Sequence, residues 1–214
     1  MLANTQTNVT VEERSAIDRP VLVPAVRRRP SRAEAEAAVR TLIGWAGDDP
    51  HREGLQATPG RVTRAYEEWF AGYGQDPAEI LERTFGEVAG YDETVLLRDI
   101  PLESTCEHHM AAIRGVAHLA YLPKERVVGI SKLARLVDAF GRRLQIQERL
   151  TAEIADALEQ ALQPRGVAVI IQATHECMSS RGVRKHGAAL VTRQFRGVFM
   201  QEAARREVLG ALKN

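Results

Sequence analysis

The sequence is short of cysteine, of aromatic side chains, of any excess charge and of long apolar runs, and most of these shortages exclude something. Lys plus Arg total 29 against 28 for Asp plus Glu, giving a net charge of +1. Dedicated nucleic-acid binders carry a marked basic excess, so no nucleic-acid partner is expected. No apolar stretch approaches the roughly 18 residues that cross a bilayer, so no membrane partner is expected either. The segment Met1 to Thr10 is polar and lacks the apolar core of a secretory leader. A cytoplasmic location follows as the expectation, and thiols stay reduced there. Only Cys106 and Cys177 are present in 214 residues. A disulfide between them is the alternative to metal binding, disfavoured by the lack of an export signal. The apolar fraction of 44% and charged fraction of 27% are ordinary for a globular protein with a sizeable core.

Residues 1–30 are polar, then punctuated by arginine and proline (Arg19-Pro20, Arg27-Arg28-Arg29-Pro30), and read as a disordered tail. Ser31 with Glu34 forms a capping box that opens a helix through about Ala46. Thr58-Pro59 predicts a second helix, with threonine as N-cap, Val62, Tyr66 and Phe70 on one stripe, and a stop near Gly72. Beyond Gly90, residues 93–102 and 113–122 alternate apolar and polar side chains and predict strands. Helices are predicted from Gly129-Ile130-Ser131, with Leu133, Leu136, Val137 and Phe140 inside, and over 147–162. Strands over 167–174 and 190–200 and a helix over 201–212 close the chain. Two strands, two helices and two strands predict an α+β domain with a largely antiparallel sheet. The expected organisation is a tail at 1–30 and one catalytic domain at 31–214, with N-terminal helices at 31–75 and the core at 90–214.

Both cysteines sit among histidines: Cys106-Glu107-His108-His109 and His175-Glu176-Cys177. Three of the six histidines lie within three residues of a cysteine, although 71 positions separate the two clusters. A C-x-x-H spacing alone is weak, and a single Cys177 reads equally well as a small buried hydrophobe. The pairing of every cysteine with histidine is what points to zinc. Cys106, His109 and Cys177 form the tidier ligand set and leave a fourth position open, as catalytic rather than structural zinc requires. Neighbours in an extended segment point opposite ways, so His108 is expected to face away from the ion. His175 and Cys177, two apart on a strand end, are expected to share a face, one on the metal and the other on its target. A histidine with near-neutral pKa suits proton transfer.

Ser131, Lys132 and Arg135 occupy a predicted helix N-terminus, where free N–H groups and the helix dipole attract phosphate. Arg181 and Arg184, just past the second cluster, offer guanidinium forks for phosphate oxygens. Basic helix ends are more often merely solvated. Gln147-Glu148 places an amide beside a carboxylate able to accept two N–H bonds from a guanine edge, or one that only offsets a dipole.

Five separate segments together resemble the GTP cyclohydrolase I family: residues 103–109 (ESTCEHH), 129–135 (GISKLAR), 145–151 (QIQERLT), His175-Glu176-Cys177-Met178 with Arg181-Gly182-Val183, and Leu55 with Thr58-Pro59-x-Arg61-Val62. The resemblance spans roughly residues 35–212. It implies conversion of GTP and water to 7,8-dihydroneopterin triphosphate and formate, by opening of the purine at C8, as the first step of pterin and tetrahydrofolate biosynthesis. It implies the tunnelling fold, an antiparallel sheet with helices on one face, closed into a ring. It also implies a homodecamer with active sites at subunit interfaces. Carried onto this chain, Cys106, His109 and Cys177 resemble the zinc ligands. His108 resembles the proton donor near the purine N7, and His175 the histidine assisting ribose opening. Glu148, helped by Gln147, would hold the guanine amino edge. Lys132, Arg135, Arg181 and, from a neighbouring subunit, Arg61 would bind the triphosphate, with Ser131 nearby. Glu176 receives no role.

Other readings are a relative that stops at a ring-opened intermediate, and a non-catalytic zinc- or nucleotide-binding paralogue. The paralogue is disfavoured because His108, His175 and Glu148 are all present. A zinc nucleoside deaminase would need a Pro-Cys-x-x-Cys element, which the chain lacks.

Overall fold

A computed structural model describes residues 28–86 and 91–212, so the expected tail of residues 1–30 lies outside the described residues up to position 27. Helix α1 (Arg32–Trp45) opens on the expected capping box: the Ser31 hydroxyl accepts from the Glu34 amide, and the Glu34 carboxylate accepts from the Ser31 amide at 2.7 Å. Helix α2 (Thr58–Trp69) begins where expected, but Thr58 is its first helical residue and not its cap. Ala57 takes the cap position with no side-chain hydrogen bond, and Pro59 lies in the first turn, where a missing N–H costs no helical partner. α1 packs against α2 and buries none of its own residues. A 3-10 turn (Ala71–Gly74) and a six-residue helix α3 (Pro77–Glu82) follow. α3 is too short to register as a periodic pattern, yet Asp76 caps it and Leu81 is fully buried.

The core sheet runs in the order β5–β2–β3–β6–β7, from strands β2 (Val95–Cys106), β3 (Ala112–Leu122), β5 (Leu144–Gln145), β6 (Gly166–His175) and β7 (Ala189–Gly197). Every pairing is antiparallel except β5, which lies parallel to the end of β2. A second, two-stranded sheet joins β1 (Thr84–Phe85) to β4 (Val127–Val128). β2 continues four residues beyond the predicted limit, so Cys106 is its last residue and not part of a connection.

Between β3 and β6 the chain forms α4 (Ile130–Gly141) and α5 (Gln147–Leu162), both on one face of the sheet. Leu133, Leu136, Val137 and Phe140 of α4 and Leu150, Ile154 and Leu158 of α5 are buried, at helical spacing. Ile113, Ala117, Leu119 and Tyr121 meet them from alternate positions of β3. This is the expected α+β arrangement. The opposite face carries a smaller cluster of Ala120, Ala168, Ile170, Phe199 and Val208, covered by the C-terminal helix α7 (Glu202–Ala211). The strand predicted to reach Met200 ends at Gly197 instead. That residue turns at φ 55°, and a Cβ there would lie 2.1 Å from the Arg165 carbonyl oxygen, so the chain leaves the sheet into a 3-10 turn.

His118, on the α7 side of β3, holds a bulge in β2. The register shifts between Leu97 and Ile100, where Asp99 adopts φ 58°, and the Asp99 amide donates to His118 Nδ1 at 3.0 Å. The His118 side chain is 12% exposed. Burial pushes its pKa below about 6.5, partly opposed by the Asp99 carboxylate, while Arg98 lowers it further. Folding therefore favours the neutral ring, and the unfolded chain binds the proton more readily. This contribution is complete above about pH 6.5 and is lost as pH falls through the folded-state value. We expect His118→Asn, whose amide oxygen can still accept from Asp99, to reduce the loss of unfolding free energy between about pH 7.5 and 5.5. Urea titrations at the two pH values measure it; an unchanged slope would refute the assignment.

Candidate metal centre and active site

β2 delivers Cys106 to the end of the sheet, and a turn through Glu107, His108 and His109 returns the chain into β3. The Met110 amide donates to the Cys106 carbonyl and the Cys106 amide to the Ala111 carbonyl, both at 2.8 Å, and Met110 takes φ 53° to close the loop. One strand further, Ile113 of β3 pairs with His175 at the end of β6. The chain then turns into a single helical turn, α6 (Glu176–Ser179), which carries Cys177. The donor atoms of Cys106, His109 and Cys177 consequently lie within 4.8 Å of one another, the one such group of three among the described residues.

The spacing fits a tetrahedral ion. Metal–sulfur and metal–nitrogen bonds of about 2.3 and 2.1 Å place tetrahedral S and N donors about 3.6 Å apart; Cys106 Sγ and His109 Nδ1 are 3.8 Å apart. Burial, and then the adjacent Cys106 thiol, push the Cys177 thiol above its ordinary pKa, while Arg181 pulls it down. A cation among these donors would favour the thiolates.

Neither histidine segment has the extended backbone expected of it. His108 and His109 sit in a turn. His108 Nδ1 is also 3.8 Å from Cys106 Sγ, though it stays outside the three-donor group and its side chain is 62% exposed, near the Glu107 carboxylate. His175 and Cys177 do not share a strand face, because the strand ends at His175 and Cys177 follows in a helical turn.

The Cys106–His109 turn is tied to α5 by groups that sequence reasoning missed. Arg149 pairs with the Glu107 carboxylate, and its guanidinium also donates to Gln145 Oε1 and the Leu144 carbonyl, both at 3.2 Å. Gln145 in turn donates to Glu153 at 2.9 Å, and the Glu107 amide donates to the Gln145 carbonyl at 3.0 Å. The only sequence trace of this network is Arg149 and Glu153 at i, i+4 on α5.

His175 faces α5. Its Nε2 is 2.8 Å from Gln147 Oε1. Gln147 is 1% exposed, and its Nε2 lies 3.1 Å from the Ile171 carbonyl, the Leu190 carbonyl and Thr192 Oγ1. Both ends of this amide are engaged within the chain. The first turn of α5 points Gln147 into the core and leaves Glu148 exposed. Burial pushes the His175 pKa down, and the nearby Glu148 charge opposes that.

Ser131, Lys132 and Arg135 lie in the first turns of α4, and Arg181 follows α6 closely enough for its charge to act on Cys177. Arg61 is on an exposed position of α2, in the N-terminal helical part, and among the described residues no hydrogen bond or ion pair joins its side chain to the other site residues. Lys132, Arg135, Arg181 and Arg61 have no ion-pair partner among the described residues.

Residues 35–213 match the family model described as GTP cyclohydrolase I. The chain is similar to the GTP cyclohydrolase 1 of Maricaulis maris (strain MCS10), 57% identical over 181 residues that cover 85% of this chain and 88% of that protein. It is equally similar, at 57% over 181 residues and 85% of each chain, to the GTP cyclohydrolase 1 of Brucella canis and of Brucella abortus. Among solved structures, the archaeosine synthase QueF-Like in the apo form aligns over 49% of this chain and 93% of that chain, with a TM-score of 0.41 and 19% identity.

Cys177→Ser should lose stoichiometric divalent metal, read by elemental content after dialysis. Arg149→Met leaves all three donors in place but frees the turn, and should weaken metal affinity by roughly 10- to 100-fold in competition with a chromophoric chelator. Full occupancy in the first variant would contradict the ligand set, and unchanged affinity in the second would contradict the tether.

Proposed function

Because the chain belongs to the GTP cyclohydrolase I family, we propose that its site converts GTP and water to 7,8-dihydroneopterin triphosphate and formate on zinc held by Cys106, His109 and Cys177. The activity is that of a GTP cyclohydrolase I, a hydrolase acting at the cyclic amidine carbon of guanine. The observation that carries the site assignment is the convergence of Cys106, His109 and Cys177 beside two further histidines and an exposed carboxylate. Two thiolates and one imidazole suit zinc, and three protein donors are the number a catalytic zinc site uses. Zinc held there supplies Lewis acidity and brings the ionisation of water towards neutral pH, at about 7.

The chain's own residues then divide the work. Glu148, exposed at the start of α5, accepts N–H bonds from the amino edge of guanine and so orients C8 towards the metal donors. His108, in the turn beside them, delivers a proton near the purine N7 as the ring opens. His175, at the end of β6 two residues before Cys177, handles the proton of the ribose as that ring opens. Retention of both histidines supports the full reaction over one stopping at a ring-opened intermediate. The triphosphate, close to four negative charges, is met by Lys132, Arg135 and Arg181, with Ser131 at the helix N-terminus. Arg61, exposed on α2, completes that set from a neighbouring subunit.

A homodecamer is the assembly we propose, with the tunnelling-fold sheets forming a ring. The exposure of large apolar side chains on the N-terminal helices, Trp45 at 87% and Trp69 at 55%, supports self-association. Residues 31–214 form its catalytic unit, with helices at 31–75 and the core at 90–214.

Zinc-replete protein incubated with GTP should release formate and, after oxidation, a fluorescent pterin; absence of both would overturn this function. His108→Ala should keep stoichiometric zinc while losing activity by about 100-fold or more. Retained turnover in that variant would remove His108 from the proton-transfer role.

A further inference from the structure

Behind His175 the hydrogen positions follow from which groups can only accept. Gln147 Nε2 is 3.1 Å from two backbone carbonyls, those of Ile171 and Leu190. Carbonyls have no hydrogen to give, so this end of the amide must be the NH2. The reversed amide would set its oxygen against both carbonyls in a buried position, at the cost of two lost donors. Thr192 agrees independently. Thr151 Oγ1 lies 2.7 Å from the Gln147 backbone carbonyl, so its single hydrogen is committed there. The 2.6 Å contact between Thr151 Oγ1 and Thr192 Oγ1 must therefore use the Thr192 hydrogen. That leaves Thr192 Oγ1 with lone pairs only towards Gln147 Nε2, 3.1 Å away.

The other end of the amide is thus an acceptor, and it faces His175 Nε2 at 2.8 Å. We propose that Gln147 is a positioning residue that fixes the neutral His175 ring with its hydrogen on Nε2 and leaves Nδ1 bare; the Ile171 and Leu190 carbonyls hold Gln147 in that orientation, with Thr192 as a further acceptor. An orienting partner of this kind acts on the population of the correct tautomer. The role of Nδ1 towards substrate rests on the function proposed above, whereas the tautomer itself does not.

The test uses full-length, zinc-loaded protein labelled with 15N in histidine, with His175 assigned by its absence from His175→Asn spectra. Long-range 15N–1H correlations of the neutral ring should show the hydrogen on Nε2 and an unprotonated Nδ1. The reverse pattern, or an averaged one, in the wild type would overturn the proposal without bearing on GTP turnover. Gln147→Met removes the acceptor at similar volume. It should leave zinc bound, give a mixed His175 tautomer and lower kcat by roughly 10- to 100-fold with KM for GTP little changed. A raised KM with unchanged kcat would make Gln147 a substrate contact instead. A fall in thermal stability alone, with an intact Nε2–H signature, would make it merely structural. Should that variant not fold, Thr192→Val tests the same chain: two carbonyls still orient the amide, so the Nε2–H pattern must persist, and its reversal refutes the argument. Absence of formate from a wild type that shows the Nε2–H pattern would fault the proposed function and leave the tautomer standing.

Discussion

The donors that converge on one point belong to clusters 71 positions apart, and the antiparallel pairing of β2, β3 and β6 closes that gap. Thr105 lies opposite Ala112, and Ile113 lies opposite His175. A slip of one residue in either ladder would turn Ile113, Ala117 and Leu119 from the helix-covered face to the other side. Each large apolar side chain among them, such as Ile113 or Leu119, is worth about 1.5–3 kcal/mol when buried. A partly exposed ion pair such as Glu107–Arg149 adds about 1 kcal/mol at most, so it does not choose the register. The core sets the register, and the polar network trims what the register has delivered.

Much of this was legible in the sequence because the relevant signals were local. Ser31 and Glu34 cap a helix through groups three residues apart, and Leu150, Ile154 and Leu158 mark the buried side of α5 by period. The metal donors were legible for a chemical reason, the scarcity of cysteine and its company of histidines. Three errors share one cause, namely backbone geometry assumed from neighbours. Capping chemistry puts Thr58 outside its helix, and it lies within; neighbouring strands imply extended backbone at His108 and Cys177, and the two occupy a turn and a helical turn. Periodicity does not locate the residue at which a strand ends, and here the ends carry the chemistry.

The orientation of Gln147 was illegible for a different reason. Adjacent residues on a helix point about 100° apart, so Gln147 and Glu148 face different surroundings. Which one faces inward depends on Ile171, Leu190 and Thr192, residues far along the chain that meet α5 only in the folded sheet. The long-range partners of Arg149 are of the same kind. A polar side chain that completes a network looks the same in sequence as one that meets solvent.

α5 touches all three parts of the site. Through Arg149 it grips the turn carrying Cys106 and His109, through Gln147 it grips His175, and its first turn presents Glu148. These attachments span three successive residues of one rigid rod, so they cannot be adjusted separately. A small slide or roll of that rod on the sheet would shift metal donors, proton-handling ring and carboxylate in concert. Drift in sequence along its buried stripe is therefore felt at the reacting atoms as a change of alignment, even where no residue of the site itself has changed.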